Sequence, residues 1–281
     1  MNLTASIESA ELMFKQILED FFVSVYDKKN LYSHGIDHHR RVWRYARDLL
    51  SIPSGRNYYR PSCSPSKLII ACYLHDIGMS VDPGPRHGKH SRELCLLFLE
   101  KYNLPEKDNI DLLETIEYHD RKDYFIETCS DDLLTLLSVA DDLDAFGFTG
   151  IYRYSEIYLT RGISPLQMGN LIIINAKKRF DNFETIYGAD SYYVQNHKKR
   201  YEILENFFTN YNDQAGSYEF RTGNIEGYCG VIELFSMLIS GKMSFEEFFT
   251  EAEIYKGDIV IGSFLNGLRS ELSSDYQNEK Q

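Results

Sequence analysis

A histidine and an aspartate stand side by side at the end of an almost wholly apolar run, Leu68-Ile69-Ile70-Ala71-Cys72-Tyr73-Leu74-His75-Asp76-Ile77-Gly78. A run with no polar face reads as a helix buried on all sides. Carrying an imidazole and a carboxylate into such a place costs several kcal/mol unless both find partners. A metal cation offsets that cost, because it accepts an imidazole nitrogen and a carboxylate oxygen together. An isolated His-Asp pair is more often a satisfied core histidine beside a helix-end aspartate, so the rest of the chain decides the matter.

The other histidines are not scattered. Seven of the eight lie between positions 34 and 119, and only His197, in a polar segment that reads as surface, falls elsewhere. His38 shares a helical face with Val42, Tyr45 and Leu49. His90 shares one with Leu94 and Leu97, and His119 with Leu112 and Ile116. Asp141 follows Leu133, Leu134, Leu137 and Ala140 on a helix with little polar character. Several helices therefore direct metal-competent groups inward at or near an end, and a cation neutralises such a convergence most cheaply.

The pattern along the chain is helical throughout. Helices are expected over residues 7–26, from His38 to about Leu50, from Leu68 to His75 with Ser66 as cap, from His90, from Ile110 to His119, and from Leu133 to Leu143 with Ser130 as cap. Asp27 to Asn30 reads as a turn, residues 51–66 as the clearest loop, and residues 79–89 as loop because of Pro83, Gly84, Pro85 and Gly88. Asp120 to Thr128 reads as a connection. Ser164-Pro165 is a helix start, and helices follow at about 165–186, 190–211, 223–240, 244–254 and 258–272, with Ser244 and Glu247 forming a capping box. No repeat, Gly-rich phosphate loop or sustained strand alternation interrupts them. The class is all-α.

The net charge of −12 argues against long nucleic acid as a partner, since such binding is driven by phosphate neutralisation. No apolar run approaches the ~20 residues of a membrane span, and Met1 to Ser6 does not read as a signal peptide. Five cysteines without a Cys-x-x-Cys pair suggest reduced thiols, so a cytoplasmic protein is expected. A small phosphorylated ligand in a locally basic pocket remains compatible with the acidic composition.

The order of these groups resembles the HD-domain phosphohydrolase superfamily, marked by a His, a His-Asp doublet and a distant Asp on separate helices around a divalent metal. His38-His39-Arg40-Arg41-Val42 carries the family's Arg-Val, a register that selects His38 rather than His34 or His39. The doublet is His75-Asp76, and the closing Asp is Asp141 in Val139-Ala140-Asp141-Asp142-Leu143-Asp144. The string Leu143-Asp144-Ala145-Phe146-Gly147, with Gly150-Ile151 and Arg153, is similar to the small bacterial branch that includes nucleotide pyrophosphohydrolases. The resemblance covers residues 30–160. It implies an HD-domain helical core over residues 1–162 and a C-terminal helical extension, packed on it, over residues 163–281.

What the resemblance implies about the site is specific. His38, His75, Asp76 and Asp141 would hold one divalent metal, and a mixed His/Asp set of this kind suits Mn, Fe, Mg or Zn. Members with two metals add histidines between the doublet and the last Asp, where His90 and His119 sit. With one metal, those two would bind phosphate or orient water. The paired His of the two-metal cyclic-dinucleotide phosphodiesterases is here His119-Asp120. Asp76 would take a proton, and Arg41, Lys89, Arg121 and Lys122 lie beside ligand positions as partners for phosphate. Tyr118, Tyr124 and Phe146 are candidates to stack on a base, although a core role suits each. His34 and His39 read as supporting or surface groups.

The implied activity is metal-dependent hydrolysis of a nucleotide or related small phosphate ester or anhydride. The alternative is a non-catalytic nucleotide-binding sensor on the same scaffold, and a homo-oligomer is compatible with either. A purely structural helical protein would bind no metal.

Overall fold

The computed structural model describes residues 2–26, 31–52, 63–121 and 132–278, with backbone alone at 246, 251 and 274–278. The turn expected at 27–30, most of the loop at 51–66, and Lys122, Tyr124 and Ser130 lie outside the described residues. Those described contain no strand. Among the described residues twelve α-helices follow one another: α1 Leu3–Tyr26, α2 Ile36–Ser51, α3 Pro65–Leu74, α4 His87–Lys101, α5 Ile110–Tyr118, α6 Leu133–Asp144, α7 Gly147–Thr160, α8 Pro165–Tyr187, α9 Tyr192–Ala215, α10 Gly227–Ile239, α11 Phe245–Glu251 and α12 Ile259–Asn278. None is long and apolar enough to cross a membrane.

The chain divides into two compact units, Met1–Lys29 with His34–Leu143 and Asn182–Ala189, and Asn30–Ser33 with Asp144–Asp181 and Asp190–Gln281. The boundary expected near residue 162 lies inside the second unit, between α7 and α8.

In the first unit α3 is the central element. Leu68 to Leu74 are all buried, and α3 packs against α1, α2, α4 and α5. A segment apolar all round has no solvent face to offer, which is why it takes the middle. Its start differs from the expectation at Ser66. Pro65 occupies the first helical turn after Ser64, whose side chain makes no cap hydrogen bond. Pro at this position loses no helical hydrogen bond and brings φ already set. The start of α6 lies close to the expected one, with Asp132 as cap: its Oδ1 accepts from Thr135 N at 2.6 Å.

The largest departure in this unit concerns α4. The helix opens at His87, after a 3₁₀ turn over Ile77–Ser80, inside the stretch expected to be loop. Its buried face is His87, Ser91, Cys95 and Phe98, whereas Leu97 is 56% exposed. Gly88 acts here through packing and not as a breaker: a Cβ there would come within 2.5 Å of Glu117 O on α5. Small residues on this face let two backbones approach, and hydrophobicity alone selects the wrong face.

In the second unit α7 is buried along most of its length and packs against α9, α10 and α12. No helix was expected there. Its N-terminus is capped from α12, where Glu271 accepts from Phe148 N at 3.2 Å and Thr149 N at 2.8 Å. Gly147 has φ +71, and a Cβ on it would lie 2.2 Å from Glu271 Oε1, so this position requires glycine twice over. Glu156, wholly buried on α7, accepts from Tyr32 N at 3.0 Å and Ser33 N at 2.9 Å, and so holds the two residues that precede His34. His197 is 7% exposed with its ring 4.7 Å from that of Tyr193, not a surface group. The Ser244–Glu247 capping box forms as expected.

Candidate metal centre

Six buried side chains from five helices and their ends converge in the first unit. His38 comes from the first turn of α2, and His75 and Asp76 directly follow α3. His87 opens α4, His119 follows α5, and Asp141 lies in the last turn of α6. Asp76 is the hub, and its two oxygens face different partners. Oδ2 lies 3.5 Å from His38 Nε2 and 3.4 Å from His75 Nε2. Those two nitrogens are 3.2 Å apart, and each is 3.8 Å from Asp141 Oδ1. Oδ1 lies 3.0 Å from His119 Nε2 and 3.3 Å from His87 Nε2, which are 3.4 Å from each other.

Three of the imidazoles are oriented by one local device. His75 Nδ1 donates to Cys72 O at 3.0 Å, His87 Nδ1 to Gly84 O at 2.8 Å, and His119 Nδ1 to Ile116 O at 2.7 Å. In each case the acceptor is the carbonyl three residues back. His75 and His119 sit at the C-caps of α3 and α5, where the last carbonyls lack a helical partner. The side chain satisfies the helix end, and its Nδ1 proton is thereby placed. That leaves Nε2, the atom facing Asp76, as the electron-pair donor.

The electrostatics follow from burial and from the hub. Burial by itself depresses His75, but Asp76 and Asp141 outweigh it and lift the pKa to about 9. Burial likewise works against His87, and its hydrogen bond and charge interaction with Asp76, with Asp120 behind, raise it to about 9. For Asp76, burial favours the neutral acid, yet His75, His119 and His38 hold the carboxyl well below the usual range. His39 is pushed well below the ordinary imidazole value, by burial first and then by His38 and His75. Without a cation, then, protons on the imidazoles neutralise the carboxylates.

These residues fit a divalent ion. Two donors ~2.0–2.2 Å from one ion stand roughly 3.0–3.6 Å apart at right or tetrahedral angles. The spacings within the Asp76–His87–His119 group, 3.0 to 3.4 Å, fall inside that range, as do those among His38, His75 and Asp76, with Asp141 slightly wider. Both sets are mixed imidazole and carboxylate, and both are buried. A buried imidazole nitrogen, His39 Nε2, has no hydrogen-bond partner among the described residues, while its Nδ1 shares Cys72 O with His75 at 3.1 Å.

The structure brings together His38, His75, Asp76, Asp141 and His119. It does not bring His90 to them: that ring is half-buried, with Nδ1 3.3 Å from Glu93 Oε2, and His87 stands where His90 was expected. The misplaced start of α4 hid His87; its spacing from Ser91, Cys95 and Phe98 was the available signal. Arg41 is buried on α2, and Lys89 is exposed on α4. Arg121 lies over the Tyr118 ring, 4.1 Å from its centroid. Phe146 is core, edge-on to Phe180 and Tyr201. His34 and His39 are both buried, the His34 ring 5.4 Å from that of His38.

An all-α chain whose helix ends converge as buried His and Asp groups able to hold a divalent metal defines the class. Residues 35–145 match the family described as HD domain, a match that supports membership of this segment in the HD-domain superfamily. The matched span runs from the residue before α2 to the residue after α6, and so contains all six convergent side chains. Comparison with curated proteins and with solved structures returned no match.

Proposed function

We propose that the protein is a metal-dependent phosphohydrolase acting on a nucleotide or a related small phosphate ester or anhydride. The observation that carries this reading is Asp76, whose two oxygens face two separate imidazole groups 3.0 to 3.5 Å away. His38, His75, Asp76 and Asp141 would hold one ion, and Asp76, His87 and His119 a second. Bound there, divalent ions supply Lewis-acid polarisation of a phosphoryl oxygen and lower the pKa of a water. The chain's own part is preorganisation. Backbone carbonyls fix three imidazoles with Nε2 inward, so little rearrangement accompanies loading. Arg41, three residues after His38, and the exposed Arg121 beyond His119-Asp120 are the cations that would meet a phosphate.

A nucleotide and phosphoester panel tests the reading. The full-length protein, stripped of metal and supplied with Mn²⁺, is expected to release phosphate or pyrophosphate from at least one nucleotide, and chelator should stop the release. Nucleotide binding without turnover, at any of Mn²⁺, Mg²⁺, Fe²⁺ or Zn²⁺, would favour the sensor. Neither binding nor turnover would remove the nucleotide from the account.

A further inference from the structure

Helix α2 carries His38 in its first turn, yet its N-cap is Gly35, which offers no side-chain cap. What fixes the entry to this helix comes from elsewhere in the chain. A 3₁₀ turn over Tyr32–His34 directly precedes it, and Glu156, wholly buried on α7, accepts from both leading N–H groups of that turn. Tyr32 N lies 3.0 Å from Oε1 and Ser33 N 2.9 Å from Oε2. The Ser33 hydroxyl also donates to Oε2, and the Tyr152 hydroxyl, one turn back on α7, donates to Oε1 at 3.4 Å. The Tyr32 ring stacks on that of Phe245 at 5.5 Å, and Phe245 stacks on Tyr152 at 5.8 Å. Asn30–Ser33 accordingly belongs to the second unit, and the chain enters the first at His34.

A buried carboxylate is a costly way to hold a turn unless donors match both of its oxygens. Here they do, and two N–H groups on two oxygens fix orientation as well as position. A negative charge also suits the N-terminal end of a helical segment. His34 follows at once, buried, with its ring 5.4 Å from that of His38, and His38 N bonds back to Gly35 O at 3.0 Å. A shift of the turn is therefore passed to His38 within a few residues. Metal donors tolerate displacements of only about 0.5 Å.

We infer that Glu156 is a positioning residue of the metal centre: through the Tyr32–His34 turn it sets the start of α2, and so keeps His38 Nε2 in place beside His75 Nε2 and Asp76 Oδ2. The inference rests on the reading of His38, His75, Asp76 and Asp141 as one ion site. It makes a side chain of the second unit a determinant of metal affinity in the first, transmitted along the chain itself. The Asp76–His87–His119 group takes its donors from the end of α3, the start of α4 and the end of α5, so Glu156 does not act on it.

Glu156→Gln keeps the volume but sets an NH₂ group against one of the two backbone N–H donors. It is made in two backgrounds of the full-length protein: His87→Ala, which retains the His38 set, and His38→Ala, which retains the His87 set. Each metal-stripped protein is titrated with Mn²⁺ well below its melting temperature, bound ions being counted by the loss of the free-ion paramagnetic signal. In the His87→Ala background Glu156→Gln is expected to weaken Mn²⁺ about 10-fold. In the His38→Ala background it should change nothing, whether or not an ion binds there. Should Glu156→Gln fail to fold, Ser33→Ala, which removes the hydroxyl bond and leaves both N–H bonds, carries the same comparison with a smaller loss. Unchanged affinity in the His87→Ala background would overturn the role of Glu156 and leave the ion site standing. Equal losses in both backgrounds would mean general loosening of the fold and would also overturn it. A His87→Ala protein that binds no Mn²⁺ would overturn the ion site, and this inference with it.

Discussion

Asp76→Asn is expected to leave a folded protein that binds no divalent metal and loses the proposed phosphohydrolase activity, the latter by roughly 10³-fold or more. The size follows from position. Each oxygen of Asp76 serves a different imidazole group, so one substitution takes the negative charge from both. A bound metal supplies several kcal/mol of stabilisation to the developing charge, and each ~1.4 kcal/mol is tenfold in rate. The amide keeps the shape and a hydrogen-bonding oxygen but loses the charge that draws an ion. Elemental analysis of the purified variant beside a phosphate-release assay reads both losses. Full metal content with undiminished turnover would end the role assigned to Asp76.

The second large effect is a pH dependence confined to the metal-free protein. His75 and His87 titrate at about 9 in the fold, against ~6.5 for an unfolded imidazole. A raised folded pKa means that the native state holds the proton more tightly. The stability so contributed is fully present below ~6.5 and is lost as the pH rises through about 9. One such shift corresponds to roughly 3 kcal/mol, and both lean on the same carboxylate, so the total stays near that figure and does not double. In chelator, the melting temperature should therefore fall by several degrees between pH ~6.5 and 9. The metal-loaded protein should not follow, because a cation replaces the protons on Nε2. The carboxyl of Asp76 contributes in the opposite sense, its share being lost only as the pH falls below the ordinary carboxylate range. A flat alkaline profile in chelator would contradict the ion pairing described for the cluster.

Much of this centre was legible in the amino-acid sequence, for a physical reason. His38, His119 and Asp141 each continue a buried helical stripe, and His75-Asp76 ends a helix with no polar face, so register alone points them inward. His87 was not legible in that way. Its helix buries Ser91 and Cys95 and leaves Leu97 out, because α4 is held close to α5 by Gly88 and not by large side chains. Hydrophobicity therefore selected His90, one face away. Helix α7 escaped for the opposite reason: it is buried along most of its length, Ser155 and Glu156 included, so burial does not follow hydrophobicity along it. The carboxylate that caps it, Glu271, comes from 123 residues away, a partnership that no local pattern announces. His197 misled because its neighbours are polar, although its own side chain is buried.

The central claim is that Asp76 joins His38, His75 and Asp141 around a divalent cation. Anomalous diffraction from crystals of the full-length protein soaked in Mn²⁺ tests it most directly. The account predicts an anomalous peak in contact with His38 Nε2, His75 Nε2, Asp76 Oδ2 and Asp141 Oδ1. At saturating Mn²⁺, no peak among these four atoms, or a peak only at other residues, would contradict it.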